Sequence, residues 1–126
     1  FEFISSDVFN KGVIVMSQLS ESYCEACDVN AKCLEPAEIE DLMSQVEGWE
    51  VIEESGVPKL KRVFSTKNYA RSMLLTNEIA ALAESINHHP LMIVEYSSVT
   101  VVWWSHKIKG LHKNDFIMAA KTSALF

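Results

Sequence analysis

The sequence predicts an α+β domain: a four-stranded antiparallel sheet with three helices packed on one face, in the order α-β-β-α-β-β-α. Apolar residues recur three and four apart over residues 36–47, 67–86 and 112–124, the period of helices with one covered face. Between those stretches lie two pairs of short runs rich in Val, Ile, Phe, Tyr and Trp. Each pair is joined by a few polar residues, as hairpins are. Locally joined strands with helices between and beside them make an antiparallel sheet covered on one side.

Residues 1–35 read as an N-terminal arm, partly disordered or an added extension, and residues 36–126 as the folded domain. Met16, followed by the polar run Ser-Gln-Leu-Ser-Glu-Ser, would make a natural initiator, with residues 1–15 then an extension. The alternative is a genuine segment that packs on the domain or hangs from it. Cys24-Glu-Ala-Cys27 with Cys33 looks like half a zinc site, yet a closed site needs four ligands and the chain has three cysteines. The flanks are polar and acidic, unlike the strand and helix around a redox Cys-x-x-Cys. Free thiols on an arm are the simpler reading.

Pro36 suits the first turn of a helix, and Glu38, Glu40 and Asp41 lie near the positive end of its dipole. Ile39, Leu42, Met43 and Val46 form its covered stripe, and Gly48 ends it. A strand begins at Trp49, Ser55-Gly56-Val57-Pro58 turns the chain, and residues 59–64 return as a second strand. Ser65 or Thr66 caps the long helix over residues 67–86. Its stripe of Leu75, Ile79, Leu82 and Ile86 is widened by Met73, Ala80 and Ala83, and further by Tyr69, Ala70, Leu74 and Ala81. So wide a surface suits burial twice over, against the sheet and against another subunit. Pro90 stops this helix, because the residue before a proline is pushed toward extended backbone. Strands follow over residues 91–96 and 99–105, around a Ser97-Ser98 turn. Gly110 breaks the chain before a last helix over residues 112–124, with Asp115 in its first turn.

A chain of 126 residues is the size of one domain and can bury a core without metal or disulfides. A net charge of −6 with scattered cations argues against a nucleic-acid-binding surface. No apolar run reaches the roughly eighteen residues of a membrane helix, and the N-terminus lacks the pattern of a signal peptide. The odd cysteine count fits poorly with a disulfide-built secreted domain, so a cytoplasmic location is expected.

All four histidines lie between residues 84 and 115, with two of the three tryptophans. Near-neutral titratable groups gathered in one quarter of a small domain point to proton chemistry. If the last two strands pair around Ser97-Ser98, Pro90 falls opposite Ser105 and His89 about opposite His106. With His88 and His89 at the helix-to-strand corner, three imidazoles meet at one end of one hairpin. They can bind zinc with an open position, act as general acid and base, or be hydrogen-bonded structural histidines. Adjacent histidines seldom aim both rings at one ion, which disfavours metal. Glu84 lies one helical turn before His88, on the same face, and either orients an imidazole or simply faces solvent. Trp103 and Trp104 can wall a flat aromatic ligand or fill core.

Several of these residues form a specific pattern. It runs Glu84-x-x-x-His88-His89-Pro90, an aromatic at Tyr96, His106 seventeen residues after His89, then Gly110-Leu111 and Asp115. Upstream stand Gly48-Trp49, Leu60-x-Arg62-x-Phe64, and a long helix ending in Ala83-Glu84. Over residues 36–124 the chain resembles the pterin-4a-carbinolamine dehydratases. The cysteine arm and the run from Trp103 to His112 look most like bacterial members encoded with phenylalanine hydroxylase.

The resemblance implies an α+β fold with four antiparallel strands and three helices, assembled as a homodimer or homotetramer. It implies dehydration of 4a-hydroxytetrahydrobiopterin to quinonoid dihydropterin, recycling the cofactor of aromatic amino acid hydroxylases, with no metal and no cofactor of its own. The family's three active-site histidines map onto His88, His89 and His106, and its acid after the glycine onto Asp115. Glu84, Pro90 and Trp104 join Asp115 as substrate-binding or supporting residues. The implied partners are a pterin substrate and a functional link to phenylalanine hydroxylase, with no direct nucleic acid and no membrane. A second function is a protein-binding transcriptional cofactor or a regulator of hydroxylase expression. Two positions depart from the pattern. Ser97 replaces a usual Asn, so the turn differs there. His112 replaces a usual Ser or Thr cap, which predicts a looser start to the last helix.

Overall fold

The computed structural model describes residues 19–21 and 32–126. Its elements run α1 (Pro36–Met43), β1 (Glu50–Glu54), β2 (Val57–Ser65), α2 (Tyr69–Ile86), β3 (Leu91–Glu95), β4 (Ser98–Trp103) and α3 (Lys113–Leu125). This is the predicted order. The strands form one sheet, β1-β2-β4-β3, with every neighbouring pair antiparallel. The expectations for Met16, Cys24 and Cys27 lie outside the described residues. Residues 19–21 are helical, Leu19 is buried in the core, and Ser20 accepts a hydrogen bond on its carbonyl from Lys121 Nζ at 2.6 Å.

The core fills the side of the sheet that α2 and α3 cover. Leu60 and Phe64 of β2 and Val99, Val101 and Trp103 of β4 meet Leu75, Ile79 and Ala83 of α2 and Phe116 and Ala120 of α3. Each large apolar side chain buried there contributes about 2 kcal/mol. Val46, just past α1, is also buried, and Ile39, Leu42 and Met43 pack against the same cluster. On α2, Tyr69 and Leu74 stay about half exposed, so the outer part of its apolar surface has no cover among the described residues.

The element ends differ from expectation for local reasons. α1 stops at Met43, and Gly48 instead makes the turn into β1 at φ 93°, with the Arg62 guanidinium 2.9 Å from where a Cβ would stand. The first hairpin turns on Ser55 and Gly56 alone, both at positive φ, a two-residue turn that matches strand twist. Val57 and Pro58 therefore belong to β2, opposite Glu54 and Glu53. Pro58 is tolerated because β2 pairs with β4 only from Leu60 onward, so it lies where β2 is an edge. Asn68, rather than Ser65 or Thr66, caps α2 by accepting the Arg71 N–H at 2.9 Å. The Thr66 hydroxyl meets that of Ser72 instead.

The β3–β4 turn is Tyr96-Ser97, one residue earlier than expected, because Ser98 joins the sheet opposite both Glu95 and Ser65. Leu91 faces Val102, so the pairing is displaced by two residues from the expected register. A two-residue displacement keeps every side chain on its expected face.

Candidate active site

Four backbone features bring the site together. α2 ends at Asn87, which takes a left-handed conformation at φ 53°. The Asn87 N–H bonds the Glu84 carbonyl at 3.3 Å and the His88 N–H bonds the Ala83 carbonyl at 3.2 Å, a Schellman closure. Helix α2 thus ends before Pro90 exerts any effect, and Pro90's part is to keep the His88-His89 corner extended into β3. Beyond β4, Ser105 and Gly110 pair with each other, closing a short loop that holds His106. Helix α3 starts beside it.

His88 turns inward. It is about nine-tenths buried, its ring stacks on Trp103 with centroids 5.5 Å apart, and its Nε2 lies 2.7 Å from Oδ1 of Asp115. Asp115 is fully buried and accepts on its other oxygen from the Ser105 hydroxyl at 2.8 Å and the His112 N–H at 2.9 Å. With two donors on Oδ2, the carboxylate takes the Nε2–H of His88 on Oδ1. That leaves Nδ1 of His88 as the ring's acceptor.

His89 turns outward. Its Nε2 lies 2.7 Å from Oε2 of Glu84, in a pair open to solvent. The expectation that Glu84 shares a face with His88 is corrected here. The left-handed Asn87 rotates the chain after the helix, so His88 leaves that face and His89 takes its place. His106 donates from Nε2 to the His89 carbonyl at 3.2 Å, and its ring stacks on Trp104 at 4.3 Å. A carbonyl can only accept, so Nε2 of His106 carries the proton and Nδ1 is free to take one.

Trp103 and Trp104, being consecutive, face opposite sides of the sheet. Trp103 is fully buried behind His88, with its Nε1–H on Thr122 Oγ1 at 3.1 Å, and Trp104 is half-buried beside His106. Ser105 was not among the expected site residues, and Trp103 was expected as a ligand wall or as core, with no role behind His88. Nothing in the sequence distinguishes a tryptophan behind a histidine from an ordinary core tryptophan. For Ser105, the only signal was its place between Trp104 and His106.

His112 does not loosen α3. Its Nδ1 accepts the Asn114 N–H at 3.1 Å, and Asp115 reaches back to its backbone N–H, a reciprocal capping box. Imidazole nitrogen here does what a hydroxyl oxygen would do. Gly110 is buried, and a Cβ on it would stand 2.6 Å from Sγ of Cys33. Cys33 is exposed and bonds the Ile108 carbonyl, while the Leu34 N–H bonds the Leu111 carbonyl at 2.9 Å, so residues 33–34 are tied to the loop beside the site.

The model of the family described as pterin 4 alpha carbinolamine dehydratase matches residues 32–125. The chain belongs to this family. It is 54% identical to a Nitrosococcus oceani protein over 110 residues, covering 87% of this chain and 97% of that one. A Vibrio vulnificus protein is 47% identical over 103 residues, covering 82% and 94%. Both are provisionally named pterin-4-alpha-carbinolamine dehydratase, the name of a hydro-lyase. Among solved structures, a transcriptional coactivator/pterin dehydratase from Brucella melitensis superposes with TM-score 0.68 at 26% identity, covering 75% of this chain and 98% of that one. A pterin dehydratase-like RuBisCO assembly factor of the alpha-carboxysome, TM-score 0.54 at 21% identity over 63% of this chain and 89% of that one, shares the fold alone.

Proposed function

We propose that this protein dehydrates 4a-hydroxytetrahydrobiopterin to quinonoid dihydropterin and water, with His88 and His106 as the principal acid and base. The reaction removes the 4a-hydroxyl and the N5 proton, so one group must give a proton to the leaving oxygen and another must take one from N5. The observation that carries the reading is His106, whose Nε2–H is held by the His89 carbonyl, leaving Nδ1 as acceptor. It suits the base that takes the N5 proton. His88 suits the acid that protonates the hydroxyl in its doubly protonated form, with Nε2–H on the Asp115 carboxylate and the transferable proton on Nδ1. His89, oriented by Glu84, binds the pterin and aids that protonation, with Trp104 beside the ring and Pro90 fixing the corner. The net proton count is zero, and the site is ready for another turnover once the proton taken up by His106 has returned to His88 through water.

In a cell the reaction would recycle the pterin cofactor of aromatic amino acid hydroxylases, phenylalanine hydroxylase among them, in the cytoplasm. No helix among the described residues is long and apolar enough to cross a membrane. A homodimer or homotetramer would cover the exposed Tyr69 and Leu74 of α2. The test of the activity is stopped-flow dehydration of enzymatically generated 4a-hydroxytetrahydropterin with and without the protein. Acceleration over the spontaneous rate supports the reading, and an unchanged rate overturns it.

That the Brucella melitensis protein is described as a transcriptional coactivator as well as a pterin dehydratase favours a second reading, a protein-binding regulator. A partner effect that survives loss of both His88 and His106 would separate the two roles.

A further inference from the structure

Lys59 lies on β2, outside the set of residues that the reaction needs, yet it is packed against that set. Its side chain is only 13% exposed, which is unusual for a lysine without dedicated partners. It has two. Its ammonium lies 2.8 Å from Oε1 of Glu54 and 4.0 Å from the centre of the Trp104 ring. Trp104 also stacks on His106, with ring centroids 4.3 Å apart and 25° between planes. The same indole thus carries both a cation and an imidazole.

The register explains the arrangement. Leu60 faces Trp103, so Lys59 stands beside Trp104 one residue further along. Glu54 shares the sheet face of Ile52, the partner of Lys59, and reaches it diagonally across the hairpin. Lys59 holds the Glu54 carboxyl below the usual glutamate range, chiefly through their hydrogen bond, so the pair persists in mild acid.

We propose that Lys59 is a positioning residue for His106, acting through Trp104: pinned by Glu54, its cation holds the indole on which the imidazole stacks and so fixes the direction of Nδ1. The proposal rests on the reading of His106 as an acid–base group. A plainer role would be to close the β1–β2 hairpin by the Glu54 ion pair alone, and the two roles make different predictions.

The test is a double-mutant cycle on dehydratase turnover. Lys59→Met is expected to lower kcat about fivefold with KM within about twofold, as the loss of a partly buried cation–π contact would. Lys59→Arg should restore most of the rate, because a guanidinium also stacks on indole. In a His106→Ala background, Lys59→Met should change kcat less than about 1.5-fold. In a His88→Ala background it should keep its full effect. Equal losses from Lys59→Met in wild type and in His106→Ala overturn the proposal, as does an unchanged kcat in the single variant. His106→Ala at wild-type turnover overturns instead the reading of His106 on which it rests. Should Lys59→Met lose its cooperative unfolding transition, Lys59→Gln is run through the same cycle and decides by the same criteria.

Discussion

Nε2 of His88 lies 2.7 Å from Oδ1 of Asp115, and both side chains are withdrawn from solvent. Asp115 is the hub of the interior half of the site, because it holds His88, Ser105 and the first backbone N–H of the α3 cap at once. A carboxylate with three donors around it has no substitute of the same shape. Asp115→Asn keeps the volume but places an amide NH₂ against groups that also donate. It should cost about 1–3 kcal/mol for each buried group left unpaired, and lower turnover at least about tenfold by releasing His88. Urea unfolding and steady-state kinetics on the same variant check both.

Ser105→Ala removes one donor and leaves the other two. It should destabilise the protein by about 1 kcal/mol while His88 stays on Oδ1, so turnover falls far less than in Asp115→Asn. Equal losses in the two variants would mean that the serine, not the carboxylate, carries the geometry.

The outer pair behaves differently. Glu84 and His89 are solvent-exposed, and such pairs contribute at most about 1 kcal/mol and often nothing measurable. Glu84→Gln should leave the unfolding midpoint nearly unchanged and reduce turnover only a few-fold, with a larger effect on KM than on kcat if His89 chiefly binds the pterin.

Gly110→Ala should destabilise by about 1–3 kcal/mol, because its new methyl meets Cys33 Sγ at 2.6 Å. Cys33→Ala should relieve most of that cost, since the remaining Cβ stands 3.4 Å away. Unfolding of the two singles and the double shows whether the thiol is the obstacle.

Glu54 gives a pH prediction whose sign is fixed. Its carboxyl is held below the ordinary glutamate value by Lys59, so its contribution to stability is present above that value and is lost as pH falls through the lowered one. Lys59→Met should return the Glu54 side-chain titration toward the usual range, as followed by carboxyl-carbon NMR.

Much of the fold was legible because periodicity survives small errors of register. Leu75 and Ile79 face the core as their spacing required, and the displaced β3–β4 register left every residue on its expected face. What periodicity cannot show is the conformation of a single residue. The left-handed Asn87 decides that Glu84 pairs with His89 rather than His88, and asparagine at a helix end only permits that conformation. Likewise the cap on α3 depended on one imidazole nitrogen pointing back at the Asn114 N–H, which residue type alone disfavours. The return of His106 to the His88-His89 corner, where it reaches the His89 carbonyl, was readable because it needs only the hairpin. The sorting of those histidines onto Trp103, Glu84 and Trp104 was not, because it depends on which side of the sheet each ring takes.

The central claim is that His88 and His106 move the two protons of the dehydration. The most direct measurement is the stopped-flow turnover of His88→Ala and His106→Ala beside wild type, with folding verified for each. Each variant should lose about a hundredfold or more, and turnover near the wild-type value in both folded variants would contradict the account.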